Sequence, residues 1–165
     1  MKPPPAAAAR TPLRVDVLRQ GRDWAPAAAD IRTWASAALG RHAAGAELAV
    51  RVVKPAESRR LNARYRGRDR PTNVLSFPVP RLPLASGNAR RPLGDLVICA
   101  RVVRTEARQQ RKGIRAHWAH LVIHGALHLL GYDHEQDAQA RRMERREVAV
   151  LKRFGITNPY RSLGV

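Results

Sequence analysis

The chain is poor in cysteine, in acidic side chains and in long apolar runs, and each shortage narrows what it can be. Cys99 is the single cysteine, so no disulfide can close within the chain, and a reducing compartment fits. No stretch reaches the roughly 20 apolar residues that a membrane-spanning helix needs. The opening MKPPPAAAARTPL has one Lys, and its four prolines leave no sustained apolar centre. It reads as a flexible extension over residues 1–12 rather than a signal sequence. These features predict a cytoplasmic protein. No internal repeat and no second-domain boundary are visible, so residues 13–165 read as one domain.

Acidic residues number 13 against 31 Lys and Arg, a net charge of +18. A domain this basic attracts polyanions, of which nucleic acid is the commonest. The bland alternative is a composition that writes Arg wherever a surface residue will do. An anionic membrane surface is the weaker candidate, because no basic helix carries a strongly apolar opposite face. Hydrophobic residues make up 44% of the chain, enough for a packed core.

Periodicity predicts strands over 13–18, 47–54, 72–80 and 93–100, with 81–92 as a polar Pro/Gly-containing loop. It predicts helices over 25–42, 56–67, 101–111, 115–130 and 137–154, the second closed by Gly67 and the fourth by Gly131. Residues 155–165 read as a closing tail. That order lacks a regular βαβ repeat. It implies an α+β fold, a small mixed sheet packed with about five helices.

Five of the six histidines fall between His117 and His134. In HGALHLLGYDH, His124 and His128 stand four apart, on nearly one helix face about 6 Å apart along the axis. A straight helix cannot bring His134 to the same point. Gly131 can take a positive φ and turn the chain back to deliver a third nitrogen. Three neutral nitrogens with an open fourth position make a catalytic zinc site; the alternative is three packing or surface histidines. HxxxHxxGxxH is also the extended zinc-peptidase spacing, a zincin-like histidine helix, in which a Glu beside the first His is the general base. Here that position is Gly125, which disfavours a peptidase. His117 and His120 extend the stripe, as further partners of the ligands or as nucleic-acid contacts.

Four motifs, LNARYRGRDRPTNVLSFP, LGDLVICA, HWAHLVIHGALHLLGYDH and a final helix followed by GITNPY, together resemble the YbeY family of bacterial endoribonucleases, the rRNA maturation factors. The resemblance runs from about Glu47 to Tyr160. It implies an α+β metal-dependent fold with one zinc ion per chain on His124, His128 and His134. It implies single-strand-specific endoribonuclease activity in maturing ribosomal RNA, at the 3′ end of the small-subunit rRNA, and in ribosome quality control. The implied partners are single-stranded RNA, ribosomal RNA or the small subunit, with ribosomal proteins or a GTPase beside them and no membrane. It places Arg66, the arginine of YRG, in the catalytic groove, with Arg66 and His124 as catalytic residues. The Pro/Ala-rich N-terminal extension and an Arg-rich final helix depart from the family pattern without touching these motifs.

The residues agree chemically. Zinc on neutral imidazoles keeps its full charge to polarise a phosphate, and Arg66 offers a planar fork matched to phosphate. From local sequence Arg66 is also one of a solvated run with Arg59, Arg60, Arg64, Arg68 and Arg70. Asp133 could hold a ligand imidazole or cap the turn after Gly131. Tyr65 could stack on a base or pack, and Trp118 reads as core. In the last helix Glu144 and Glu147 interleave with Arg141, Arg142, Arg145 and Arg146, which reads as a solvated, ion-paired face. Two other functions stay open: a non-catalytic RNA-binding assembly factor braced by zinc, and a metal-dependent hydrolase of another substrate. The nucleophile, water or a ribose hydroxyl, is not fixed by sequence.

Overall fold

A computed structural model describes residues 11–80 and 89–161. The N-terminal extension, apart from its last two residues, and most of the expected 81–92 loop lie outside the described residues. The strands are β1 (Arg14–Arg19), β2 (Ala46–Val53), β3 (Val74–Pro78) and β4 (Arg91–Cys99). The helices are α1 (Ala28–Leu39), α2 (Pro55–Arg66), α3 (Ala100–Gln109), α4 (Ile114–Leu129) and α5 (Asp137–Lys152). A mixed four-stranded sheet with five helices is the α+β fold expected.

The sheet order is β1-β2-β4-β3, with β1, β2 and β4 parallel and β3 antiparallel to β4 at the edge. β4 begins at Arg91, two residues before the strand expected from sequence, and so contains Pro92. Proline is tolerated there because β3 pairs with β4 only from Gly94 onward, and the β2 register shifts at Glu47/Leu48. Alternation along β2 and β4 sorts side chains to two faces. Leu48, Val50, Leu96 and Ile98 face the main core with α1, α4 and α5. Val97, Cys99 and Leu75 face a smaller cluster closed by Leu61 of α2.

α4 is the helix around which the main core is built. Trp118, Val122, Ile123, Ala126 and Leu127 are all fully buried, so its apolar residues cover a broad face and leave the histidines on the remaining one. Each large side chain buried in this way contributes on the order of 1.5–3 kcal/mol of transfer free energy. The histidines of α4 are therefore mounted on a strongly held element. Among the described residues no helix is long and apolar enough to cross a membrane.

Gly125 explains how closely α4 lies on the sheet. A Cβ there would stand 2.8 Å from Leu96 Cδ2 and 3.3 Å from Ser76 Oγ. The glycine beside His124 thus marks a contact between helix and sheet, in which a glutamate side chain has no room.

Candidate metal centre and its cleft

α2 carries Arg66 to the site. Pro55 opens this helix, and Gly67, at φ 66°, closes it in the left-handed conformation that suits glycine. Two buried polar side chains then bind the following loop back onto the helix. Ser58 Oγ donates to Thr72 O and accepts from Thr72 N, both at 2.9 Å, and Asn62 Nδ2 donates to Arg70 O at 2.8 Å. Within the arginine run, Arg59 is paired with Asp69 and Arg60 with Glu57, both at 2.8 Å, and Arg64 lies 5.5 Å from the Tyr65 ring centroid. Arg66 instead lines a cleft of about 230 Å³ that it shares with the histidines.

The three histidines converge. After α4, Gly131 adopts φ 97° and Tyr132 N donates to Leu127 O, which turns the chain back over the helix end. Asp133 Oδ1 accepts from the backbone N of His134 at 2.6 Å and of Glu135 at 3.1 Å. Of its two readings, the turn cap is the one present. His124 Nε2 and His128 Nε2 stand 3.1 Å apart, and His134 Nδ1 stands 3.2 Å from His128 Nε2.

The other ring nitrogens show what this convergence means. His128 Nδ1–H donates to Tyr132 O at 2.8 Å, and His124 Nδ1–H donates to a carboxylate oxygen of Glu147. In its neutral form each ring then presents Nε2 as an acceptor, and the two Nε2 atoms face each other. A proton shared between them, or a metal cation bound by both, holds such a pair together. Nitrogens bound at zinc distances on a tetrahedron lie about 3.3 Å apart, close to the spacings found. His124, His128 and His134 can together hold a metal ion. Burial, reinforced by the neighbouring His124 and His134, pushes His128 down to about 4, so it is neutral at physiological pH as a ligand must be.

Glu147 corrects the sequence reading. The expected solvated face of α5 does not include it: Glu147 is wholly buried, against α4. Its carboxylate accepts from His124, from His120 Nε2 at 3.2 Å, and from the hydroxyl of Tyr160. Burial raises the Glu147 carboxyl, but these hydrogen bonds outweigh it and hold it at about 2. The signal was present in the helical stripe, since 147 follows Met143 by four and precedes Val150 and Leu151, all buried. Glu144 and the arginines 141, 142 and 145 are exposed, as expected.

His117 and His120 stay out of the three-histidine cluster. His117 Nε2–H donates to Glu106 at 2.7 Å, and Asn73 Nδ2 donates to the same carboxylate. His120 joins Glu147 and stands edge-on to Tyr160, their centroids 5.6 Å apart. Tyr160, Asn73 and Glu106 were not singled out from sequence. Trp118 is core, and Tyr65 is half exposed, edge-on to Phe77.

Comparison with known proteins follows the same residues. The family model described as Endoribonuclease YbeY matches residues 21–155. The chain belongs to the endoribonuclease YbeY family. A relative from Halorhodospira halophila named Endoribonuclease YbeY is 52% identical over 136 residues, covering 82% of this chain and 88% of its own. One of the same name from Alkalilimnicola ehrlichii is 54% identical over 151 residues, covering 90% of each. A Thermotoga maritima protein with a known solution structure shares the fold, at a TM-score of 0.54 and 22% identity, covering 90% of this chain and 99% of that one. The YbeY match spans α4 with His124 and His128, the following turn with His134, the α2 segment with Arg66, and α5 with Glu147.

Proposed function

We propose that the chain is a zinc-dependent endoribonuclease specific for single strands. The observation that carries this is the pair of imidazole Nε2 atoms 3.1 Å apart, in a cleft whose wall includes Arg66. Membership of the endoribonuclease YbeY family supports the reaction class. The net charge of +18 favours a polyanionic substrate over a peptide, and Gly125 lacks a side chain to take a proton.

His124, His128 and His134 hold the metal, which when bound supplies a positive centre for a phosphoryl oxygen. Glu147 fixes the His124 ring with Nδ1 protonated and Nε2 facing the metal. Tyr132 O does the same for His128. Arg66 binds the scissile phosphate by its guanidinium fork and stabilises the charge that grows on it. Ribosomal RNA, at the 3′ end of the small-subunit species, is the proposed substrate in a cytoplasmic setting, with ribosomal proteins or a GTPase as companions. That part rests on the family resemblance.

The deciding experiment measures metal content and RNA cleavage together, for the unaltered protein and for His124→Ala, after removal of contaminating nucleases. One zinc per chain, lost together with cleavage in the variant, is the expected result. Equal cleavage by both proteins overturns the proposal. A 2′,3′-cyclic phosphate on the product identifies the ribose hydroxyl as nucleophile; its absence identifies water.

A further inference from the structure

A second and larger cavity, about 690 Å³, lies beside the metal cleft. Its walls are the turn between α3 and α4, the first turns of α4, and the segment 155–161 that follows α5. The volume is within the roughly 300–1,000 Å³ typical of small-ligand sites. Arg111, Lys112 and Arg161 line it, and no carboxylate does. The nearby Glu106 is engaged by His117 and Asn73. Ala116, Ile156 and Pro159 give it an apolar wall.

The cavity is joined to the metal cleft by shared residues. His120 lines both, and Tyr160, which lines the metal cleft, stands in sequence between Pro159 and Arg161, which line the second cavity. The two spaces are therefore neighbours across the His120–Tyr160 contact. α4 starts at this wall with no capping side chain, so its first N–H groups add to the positive potential. Arg111, at φ 53°, holds the left-handed turn that presents two successive cations.

An apolar wall rimmed by three cations fits a nucleotide, whose base is flat and apolar on its faces and whose phosphate is anionic. Resting on the endoribonuclease reading, we propose that this cavity receives an unpaired nucleotide flanking the cleaved bond, with its phosphate against Arg111, Lys112 and Arg161. A concave site of this kind receives a base only when that base is free of a partner strand, which makes it a source of single-strand selectivity.

The test uses the full chain, zinc-loaded, with an unstructured 12-nucleotide RNA. Lys112→Glu with Arg161→Glu should raise KM at least about tenfold and leave kcat and zinc content within twofold. Arg141→Glu with Arg142→Glu makes the same charge change on the exposed face of α5 and should raise KM less than threefold. A dinucleotide carries only the scissile phosphate, so its KM should be the same for the unaltered protein and the Lys112/Arg161 variant. Binding of the 12-nucleotide RNA in EDTA reads the cavity without cleavage. There the variant should flatten the slope of log K against log salt by about 1.4, for two lost phosphate contacts. Ala116→Trp fills the cavity without altering charge and should raise KM likewise, which keeps the test decisive if the double variant misfolds. Equal effects of the two charge variants, an equal loss on the dinucleotide, or unchanged RNA binding in EDTA each overturn the proposal. A protein that binds RNA in this way but never cleaves it would instead refute the proposed function.

Discussion

Glu147 and His124 are joined across the α4–α5 interface by a hydrogen bond from the imidazole Nδ1 to a carboxylate with no exposure to solvent. The bond favours the tautomer with Nδ1 protonated, turns Nε2 toward His128, and sets a negative charge beside the imidazole. Glu147→Gln keeps the shape and removes the charge. It should weaken zinc binding about 10- to 100-fold, as for other carboxylates that support a ligand histidine. Competition with a calibrated chelator measures it. Glu147→Ala also orphans the donor on the largely buried His120, at about 1–3 kcal/mol, and should lower the melting temperature further than Gln does. Zinc affinity unchanged in Glu147→Gln would show that the buried carboxylate serves packing alone.

On the function proposed above, Arg66 serves phosphate binding and the histidines serve metal binding. It lines the cleft, while Arg59 and Arg60 nearby are paired with acids. Arg66→Ala should lower kcat/KM by about 10²–10³-fold while the zinc content stays at one per chain. Arg66→Lys should recover little, because an ammonium lacks the planar fork. Full activity in Arg66→Lys would reduce the side chain to a point charge.

Much of this architecture is legible in the sequence because it is local. The four-residue spacing of His124 and His128, the turn at Gly131 and the helix stop at Gly67 depend on a few neighbouring residues. The order β1-β2-β4-β3 does not, since β3 joins the sheet beyond β4 through pairings that no local pattern specifies. Pro92 concealed the start of β4 because a proline argues against a central strand until its one-sided pairing is known. Glu147 was hidden by its arginine neighbours. Their charge pattern suggested a wet face, whereas the position of 147 in the apolar stripe decided its burial.

Glu106 gives the fold a predictable response to acid. Burial raises its carboxyl, but hydrogen bonds from His117 and Asn73 prevail and the group is held below the ordinary glutamate value. A carboxyl depressed by folding stabilises the native state at pH above its unfolded value, about 4.3. That contribution declines as pH falls toward the folded value. Glu106→Gln should therefore cost about 1–2 kcal/mol at pH 7, with the gap from the unaltered protein closing as pH drops below about 4. Denaturant melts across that range test the sign. A gap that widens in acid would mean the carboxyl is raised, and that burial outweighs its two hydrogen-bonded partners.

Gly125 tests whether the space beside His124 is needed for packing. Alanine favours a helix interior by about 1 kcal/mol over glycine, so a loosely packed site would gain stability from Gly125→Ala. Here the added Cβ meets Leu96 Cδ2 at 2.8 Å, and Leu96 is itself fully buried against the core. Moving that side chain costs about 1–3 kcal/mol, the range for overpacked cores. The net expectation is a destabilisation of about 0–2 kcal/mol, with α4 shifted away from β3 and β4. Because His124 is the next residue along the helix, zinc affinity should fall with stability. A Gly125→Ala protein that melts higher and keeps its zinc would mean that Leu96 can rotate aside. The glycine would then be dispensable to the contact between helix and sheet.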